Sequence, residues 1–291
     1  MKSAGGAHMK QPRRKWFWPV IFAATIIVLV VVIVPCAVIL TRRNKSNGLA
    51  SSILFPLYVF PHNSSTWDPL YTAASSNPQL NFTVVVNPGN GPGNESIPDT
   101  GYRTAIEKLH TYANIEIVGY VHTSWTSRNI SLVLDDIATY SGWTANDPDL
   151  VISGIFFDET PTVYSSAASE YLESINAAVK SSSGIRSPKT VIHNPGAVPD
   201  AGLNSDTTDI TIAFESSLDD YQTKQSALTS LPLPRSRYSS LVHSAASSSD
   251  MKDLVDRMSR HSAYLFVTDL STDYYQAFGS DWSDFVNAVP T

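Results

Sequence analysis

The chain has 291 residues and a net charge of −6, but the charge is uneven: the first 45 residues hold eight Lys/Arg and no Asp/Glu, which leaves twelve basic against 26 acidic residues, a net of −14, for the rest. That acidic remainder excludes nucleic acid and anionic lipid as natural partners of the C-terminal part and suits a neutral or cationic polymer, although an acidic surface kept for solubility accounts for it as well. The single cysteine, Cys36, falls in the N-terminal apolar stretch, so the rest of the chain has no disulfide and is held by its hydrophobic core.

In chain order, residues 1–15 form a basic tail, and 16–40 run for 25 positions without a charge. At about 1.5 Å per residue that run is long enough to cross a bilayer as a helix. Five Lys/Arg precede it and Arg42, Arg43 and Lys45 follow, so the tail is expected in the cytoplasm and the remainder outside it. A cleaved signal peptide is the alternative, but its apolar region is usually only about 7–15 residues long. The expectation is a single-pass type II membrane protein with a transmembrane signal anchor at 16–40 and a stalk at 41–51. Four sequons, at Asn63, Asn81, Asn94 and Asn129, agree with a lumenal or extracellular surface.

Beyond the stalk, β-rich apolar runs at 53–60, 82–87, 115–122, 151–158, 190–194, 210–215, 238–243 and 264–269 alternate with helix-like segments at 102–112, 130–140, 165–181, 218–229 and 249–261. Eight such strands within 52–291 predict an α/β fold, a (β/α)8 TIM-type barrel. A doubly wound open sheet is the rival, but the first βα turn lacks a Gly-rich phosphate fingerprint.

In such a barrel the working face lies at the C-terminal ends of the strands. Nearly every predicted strand ends in a polar residue: Tyr58, Asn87, His122, Asp158 with Glu159, His193 with Asn194, Glu215, His243 and Asp269. Charge beside a dry core is costly unless paired or used, and acids ending strands 4 and 6 suit a pair of carboxyls acting on a glycosidic bond. For each acid alone, capping of the next helix is the lesser alternative. Zinc gathered by His122, Asp158, His193 and Glu215 is a weaker reading, because no paired His or Cys spacing is present; no Gly-x-Ser-x-Gly elbow occurs either. Trp67, Trp125, Trp143, Tyr274, Tyr275 and Trp282 fall in or near connectors, where they either stack on sugar rings or pack the helices. Trp125, just after His122, is the best placed for a sugar.

The segments 53–61, Gly119-Tyr120-Val121-His122, Gly154-Ile155-Phe156-Phe157-Asp158-Glu159, His193-Asn194-Pro195-Gly196 and Ala213-Phe214-Glu215 together resemble the spherulin-4-like family, glycoside hydrolase family 135, whose members are mostly fungal. The resemblance implies a (β/α)8 barrel that cleaves galactosaminogalactan, an α-1,4-linked exopolysaccharide, within its N-acetylgalactosamine stretches. It places the catalytic acids on Asp158, Glu159 and Glu215. Tyr58, Asn87, His122, Trp125, His193 and Asn194 are then expected to contact substrate, with no cofactor or metal and a monomeric catalytic domain. In an α-linked N-acetylgalactosamine the acetamido group lies on the leaving-group side and cannot attack from behind, so the protein must supply the nucleophile or a base-activated water. Asp158 as nucleophile and Glu215 as acid/base is the leading assignment, with Glu159 positioning the sugar or tuning its neighbour's pKa; exchanging the roles of Glu159 and Glu215 is the variant. A barrel that only binds polysaccharide, or a metal-dependent polysaccharide deacetylase, stands as the alternative function.

Overall fold

Eight parallel strands close into a ring in the computed structural model, which describes residues 48–245 and 250–291. The elements of these residues are β1 (Ser52–Leu57), α1 (Asp68–Ser76), β2 (Phe82–Val86), α2 (Thr100–Leu109), β3 (Ile115–His122), α3 (Ile130–Asn146), β4 (Gly154–Asp158), α4 (Ser166–Ser181), β5 (Thr190–His193), β6 (Ile210–Ser217), α5 (Leu218–Leu228), β7 (Tyr238–His243), α6 (Met251–Met258), β8 (Tyr264–Val267) and α7 (Trp282–Ala288). Each strand pairs with its sequence neighbours and β8 returns to β1. The TIM-type barrel expected from the alternating runs is therefore the fold.

The strands read as near-continuous apolar runs because they are covered on both faces; β2 and β5, for example, are buried along their whole length. The helices begin at the strands' C-terminal end, where side chains cap them: Asp99 for α2, Asn129 for α3, Ser165 for α4 and Ser217 for α5. Each accepts from backbone N–H groups that the first turn leaves without partners.

Four expectations change. Helices α1 and α7 were not anticipated. The first is short and built of small residues after Asp68-Pro69, a proline suited to a first turn, and the second has only seven residues. Both are fixed by packing, and the Trp282 ring lies 4.9 Å from Phe55 of β1. Strand 4 starts at Gly154 rather than 151. The end of the expected stalk is part of the barrel: Ser51 N–H donates to the Pro290 carbonyl, and Arg235 reaches the Ala50 carbonyl and the Ser51 hydroxyl. The tail, the span at 16–40 and stalk residues 41–47 lie outside the described residues, among which no helix is long and apolar enough to cross a membrane.

One close approach prepares the site. Gly119 of β3 faces the Tyr140 ring of α3, and a Cβ there would sit 2.6 Å from it. The space lets Tyr140 donate to the Tyr120 carbonyl at 3.0 Å and to the Val86 carbonyl at 3.3 Å, which fixes the strand segment carrying Tyr120. Gly119→Ala forces that ring out of place and is expected to destabilise the protein by about 1–3 kcal/mol, read by calorimetry as a fall in Tm of roughly 3–10 °C. An unchanged Tm would mean the contact is not holding β3.

Candidate active site

Strand alternation decides which end residues meet. Phe156 of β4 lines the cleft at the barrel mouth, and Asp158, two residues on, shares its inward face. Phe157, between them, packs outward against His193. On β6 the ladder slips between Ile212 and Phe214, an irregularity that re-aims the strand end. Phe214 then packs against Tyr221 of α5, while Glu215 joins Asp158 in a cleft of about 410 Å³ lined also by Tyr58, Asn194 and Tyr275.

Asn194 joins the two acids. Its Nδ2 donates to Asp158 Oδ1 at 2.8 Å and to Glu215 Oε2 at 2.7 Å, so those oxygens lie no more than 5.5 Å apart, the sum of the two bond lengths. The amide is oriented by its other end, since Oδ1 accepts from Gly196 N–H at 3.0 Å. Gly196 has φ +67°, a conformation glycine adopts without strain, and its carbonyl accepts from Glu215 N–H. The turn after β5 thus sets both the bridge and the backbone of Glu215.

The acids differ in their partners. Asp158 accepts three hydrogen bonds, from Tyr120 Oη at 2.9 Å, Glu159 N–H at 2.9 Å and Asn194. Glu215 accepts two, from Tyr275 Oη at 2.6 Å and Asn194. Burial pushes both carboxyls above their usual range, and the donors oppose it. A neighbouring negative charge adds to the rise at each, that of Asp158 at Glu215 and that of Glu159 at Asp158. Three donors favour the anion on Asp158 and two on Glu215.

The remaining strand-end residues divide. Tyr58 lines the cleft, its ring edge-on to Tyr120 at 5.4 Å and to Tyr275 at 5.5 Å. His193, expected to touch substrate, faces the other way: it lies behind β5, where Nε2 donates to Asn176 Oδ1 of α4 at 2.8 Å. Burial lowers its pKa to about 3, so it is a neutral structural histidine. Strand alternation is the reason, because His193 and Asn194 cannot both face in. Asn87 and His122, also expected among the substrate contacts, are half-buried and bonded to the β2–α2 connection. Asn87 Oδ1 accepts from Gly91 N–H at 2.9 Å, and His122 Nδ1 lies 3.3 Å from the Asn90 carbonyl. Glu159 does not line the cleft; its carboxylate accepts from Ser124 Oγ at 3.2 Å. Trp125 stands 63% exposed on the loop after β3. His122, Asp158, His193 and Glu215 do not gather, and among the described residues no group of three or more His, Cys, Asp or Glu side chains is placed to hold a metal.

Two residues of the site went unread in the sequence. Tyr120 was passed over, although it sits two positions before His122 on the same strand face. Tyr275 reads in the sequence as a ring that stacks on sugar or packs the helices, whereas its hydroxyl holds Glu215. It arrives on the β8–α7 connection, which is tied down by Asp269 accepting from Ser280 and by Tyr274 stacked on His243 at 4.3 Å. Trp67, Trp143 and Trp282 belong to the core.

Residues 52–289 match the model of Spherulation-specific family 4. Spherulin-4 of Physarum polycephalum is 37% identical over 162 residues, which cover 55% of this chain and 43% of that protein; the chain spans less than half of that relative's length. The crystal structure of Aspergillus clavatus Sph3 in complex with GalNAc superposes with a TM-score of 0.81 at 39% identity, covering 84% of this chain and 99% of that one. The YdhT protein of Bacillus subtilis, at 10% identity and a TM-score of 0.51 over 85% of this chain and 88% of that one, shares the fold alone. The match runs from the first strand of the barrel to its last helix, and the chain belongs to Spherulation-specific family 4, the spherulin-4 family.

Proposed function

We propose that this protein is an endo-acting glycoside hydrolase that cleaves α-1,4-linked N-acetylgalactosamine stretches of galactosaminogalactan, with Asp158 as nucleophile and Glu215 as acid/base. The observation that carries the reading is the pair of buried carboxyls bridged by one amide, their bridged oxygens no more than 5.5 Å apart. The GalNAc bound to Sph3 supports the choice of sugar. In the first step the Asp158 carboxylate attacks the anomeric carbon while Glu215 gives its proton to the departing glycosidic oxygen. The C–O bond breaks, and the sugar is left esterified to Asp158. Glu215, now ionised, takes a proton from water as that water releases the sugar. Retaining enzymes hold their carboxyls about 5–5.5 Å apart and inverting ones about 6.5–9.5 Å, so the short bridge favours retention.

Asp158→Asn and Glu215→Gln are each expected to lower kcat on the polymer by about 10²- to 10⁴-fold, and an NMR time course should show the α-anomer released first. Near-normal turnover by Glu215→Gln removes it from the acid role, and β-anomer as the first product makes Asp158 a base instead.

The pH profile gives a signed test. The rate needs Asp158 ionised and Glu215 protonated, so kcat/KM is bell-shaped, with the pair's lower macroscopic pKa on the acid side and its higher one on the alkaline side. Tyr275 donates to the Glu215 carboxylate and thereby lowers its pKa. Tyr275→Phe removes that donor, so the alkaline limb should move to higher pH. A limb that stays or moves down contradicts the assignment.

We further propose that residues 16–40 anchor the barrel on the outer side of the membrane, a reading supported by the apolar run and its flanking charges. Intact cells treated with protease should lose a C-terminal epitope while keeping an N-terminal one. Protection of the C-terminal epitope would refute the topology.

A further inference from the structure

The loop after β3 contains three consecutive non-glycine residues in the left-handed region, Ser124 at φ +47°, Trp125 at +52° and Thr126 at +68°. L-residues visit that region as single residues rather than in runs, and such strain persists only where the surroundings over-determine it. Here they do. The Glu159 carbonyl accepts from Trp125 N–H at 2.6 Å and from Thr123 Oγ1 at 2.8 Å, and the Glu159 carboxylate accepts from Ser124 Oγ. Arg128 closes the base of the loop, its guanidinium reaching the His122 carbonyl at 3.0 Å and Asp136 at 2.7 Å. The product of this bonding is an indole left 63% exposed, a large apolar face that core packing does not account for. Glu159 is itself left-handed at φ +54°, and its N–H donates to Asp158 Oδ1. One residue therefore ties the nucleophile of the proposed reaction to the loop that carries the exposed ring.

β4 stands across the ring from β8. The Tyr274–Tyr275 wall of the cleft comes from the β8 side, while Trp125 belongs to the β3–β4 side, beyond the cleft. A polymer laid over Asp158 and Glu215 away from that wall would run toward Trp125. We propose that Glu159 is a positioning residue rather than a catalytic acid. It holds Trp125 as a stacking platform for a sugar ring of the chain beyond the one attacked, so that the protein favours long substrates over short ones. The inference rests on the glycosidase reading above for its substrate.

The test uses the full-length chain in detergent with α-1,4-linked N-acetylgalactosamine oligomers of increasing length. The measure is the ratio of kcat/KM for a long oligomer to that for a short one. Trp125→Ala is expected to lower that ratio roughly 3- to 10-fold, acting through KM rather than kcat. Glu159→Ala should lower it likewise, and Glu159→Gln, whose amide oxygen still accepts from Ser124, should restore it. Should Glu159→Ala not fold, Ser124→Ala breaks the same side-chain contact from the other end and should lower the ratio in the same direction. A kcat for Glu159→Gln as low as that of Glu215→Gln would make Glu159 a catalytic acid and overturn the proposal, as would an equal loss by Trp125→Ala on long and short oligomers. Binding is read separately as a length-dependent change in tryptophan fluorescence that Trp125→Ala abolishes. If the wild-type chain hydrolyses nothing, the glycosidase reading fails, but this signal still supports the platform where present and refutes it where absent.

Discussion

Two acids accept hydrogen bonds from one amide nitrogen, and the cleft is organised around the difficulty of keeping them together. Unit charges about 5 Å apart at an effective dielectric of about 20 repel by about 3 kcal/mol, so a buried Asp158–Glu215 pair resists double ionisation. The Asn194 amide relieves this by presenting both its hydrogens, one to each carboxyl. It can do so because its oxygen is already committed to Gly196 N–H. A carboxylate at the same position would add a third negative charge, and an apolar side chain would leave the acids facing each other with a donor fewer each. The asymmetry between them then follows from their other partners. Tyr120 and the Glu159 N–H favour the anion on Asp158, while Glu215 has Tyr275 alone besides the shared amide.

The supporting groups come from different parts of the barrel, which makes the site a property of the closed ring rather than of a local motif. Asp158, Asn194 and Glu215 end three successive strands. Tyr120 rises from β3, and Tyr275 descends from the connection after β8. The Tyr275 carbonyl also accepts from Tyr58 N–H at 3.0 Å, so the last connection is bonded to the first strand's exit where the ring closes. Preorganisation of this kind keeps the donors in place before any charge moves. The Gly119–Tyr140 contact extends the same logic one layer outward, since the phenol that holds the Tyr120 carbonyl fits only because β3 lacks a side chain there.

Much of this was legible in the chain. Eight apolar runs of strand length separated by helical segments led to the barrel, and polar residues at the run ends led to its mouth. The facing of those residues was less legible, for a physical reason. Alternation assigns neighbours to opposite faces, but which neighbour faces in depends on the register of the whole strand. His193 and Asn194 read equally well, and only Asn194 turns inward. On β6 the slip between Ile212 and Phe214 resets the alternation, and no feature of Ile210-Thr211-Ile212-Ala213-Phe214-Glu215 marks it. Tyr120 was hidden in an apolar run, and Tyr275 in a connector whose path is set by Asp269, Ser280 and the His243–Tyr274 stack. The helices at 68–76 and 282–288 escaped because short segments take their stability from packing rather than propensity.

The two carboxylates that end β4 also show how sequence adjacency misleads. Asp158 and Glu159 are neighbours, yet the left-handed turn at Glu159 sends the second side chain to Ser124 while the first stays in the cleft. Had both faced in with Glu215, three acids would compete for the donors that now satisfy two. The turn removes Glu159 from that competition and leaves its N–H on Asp158 and its carbonyl on Trp125. The Glu159 N–H thus bonds the cleft, while its carbonyl and carboxylate both bond the loop after β3.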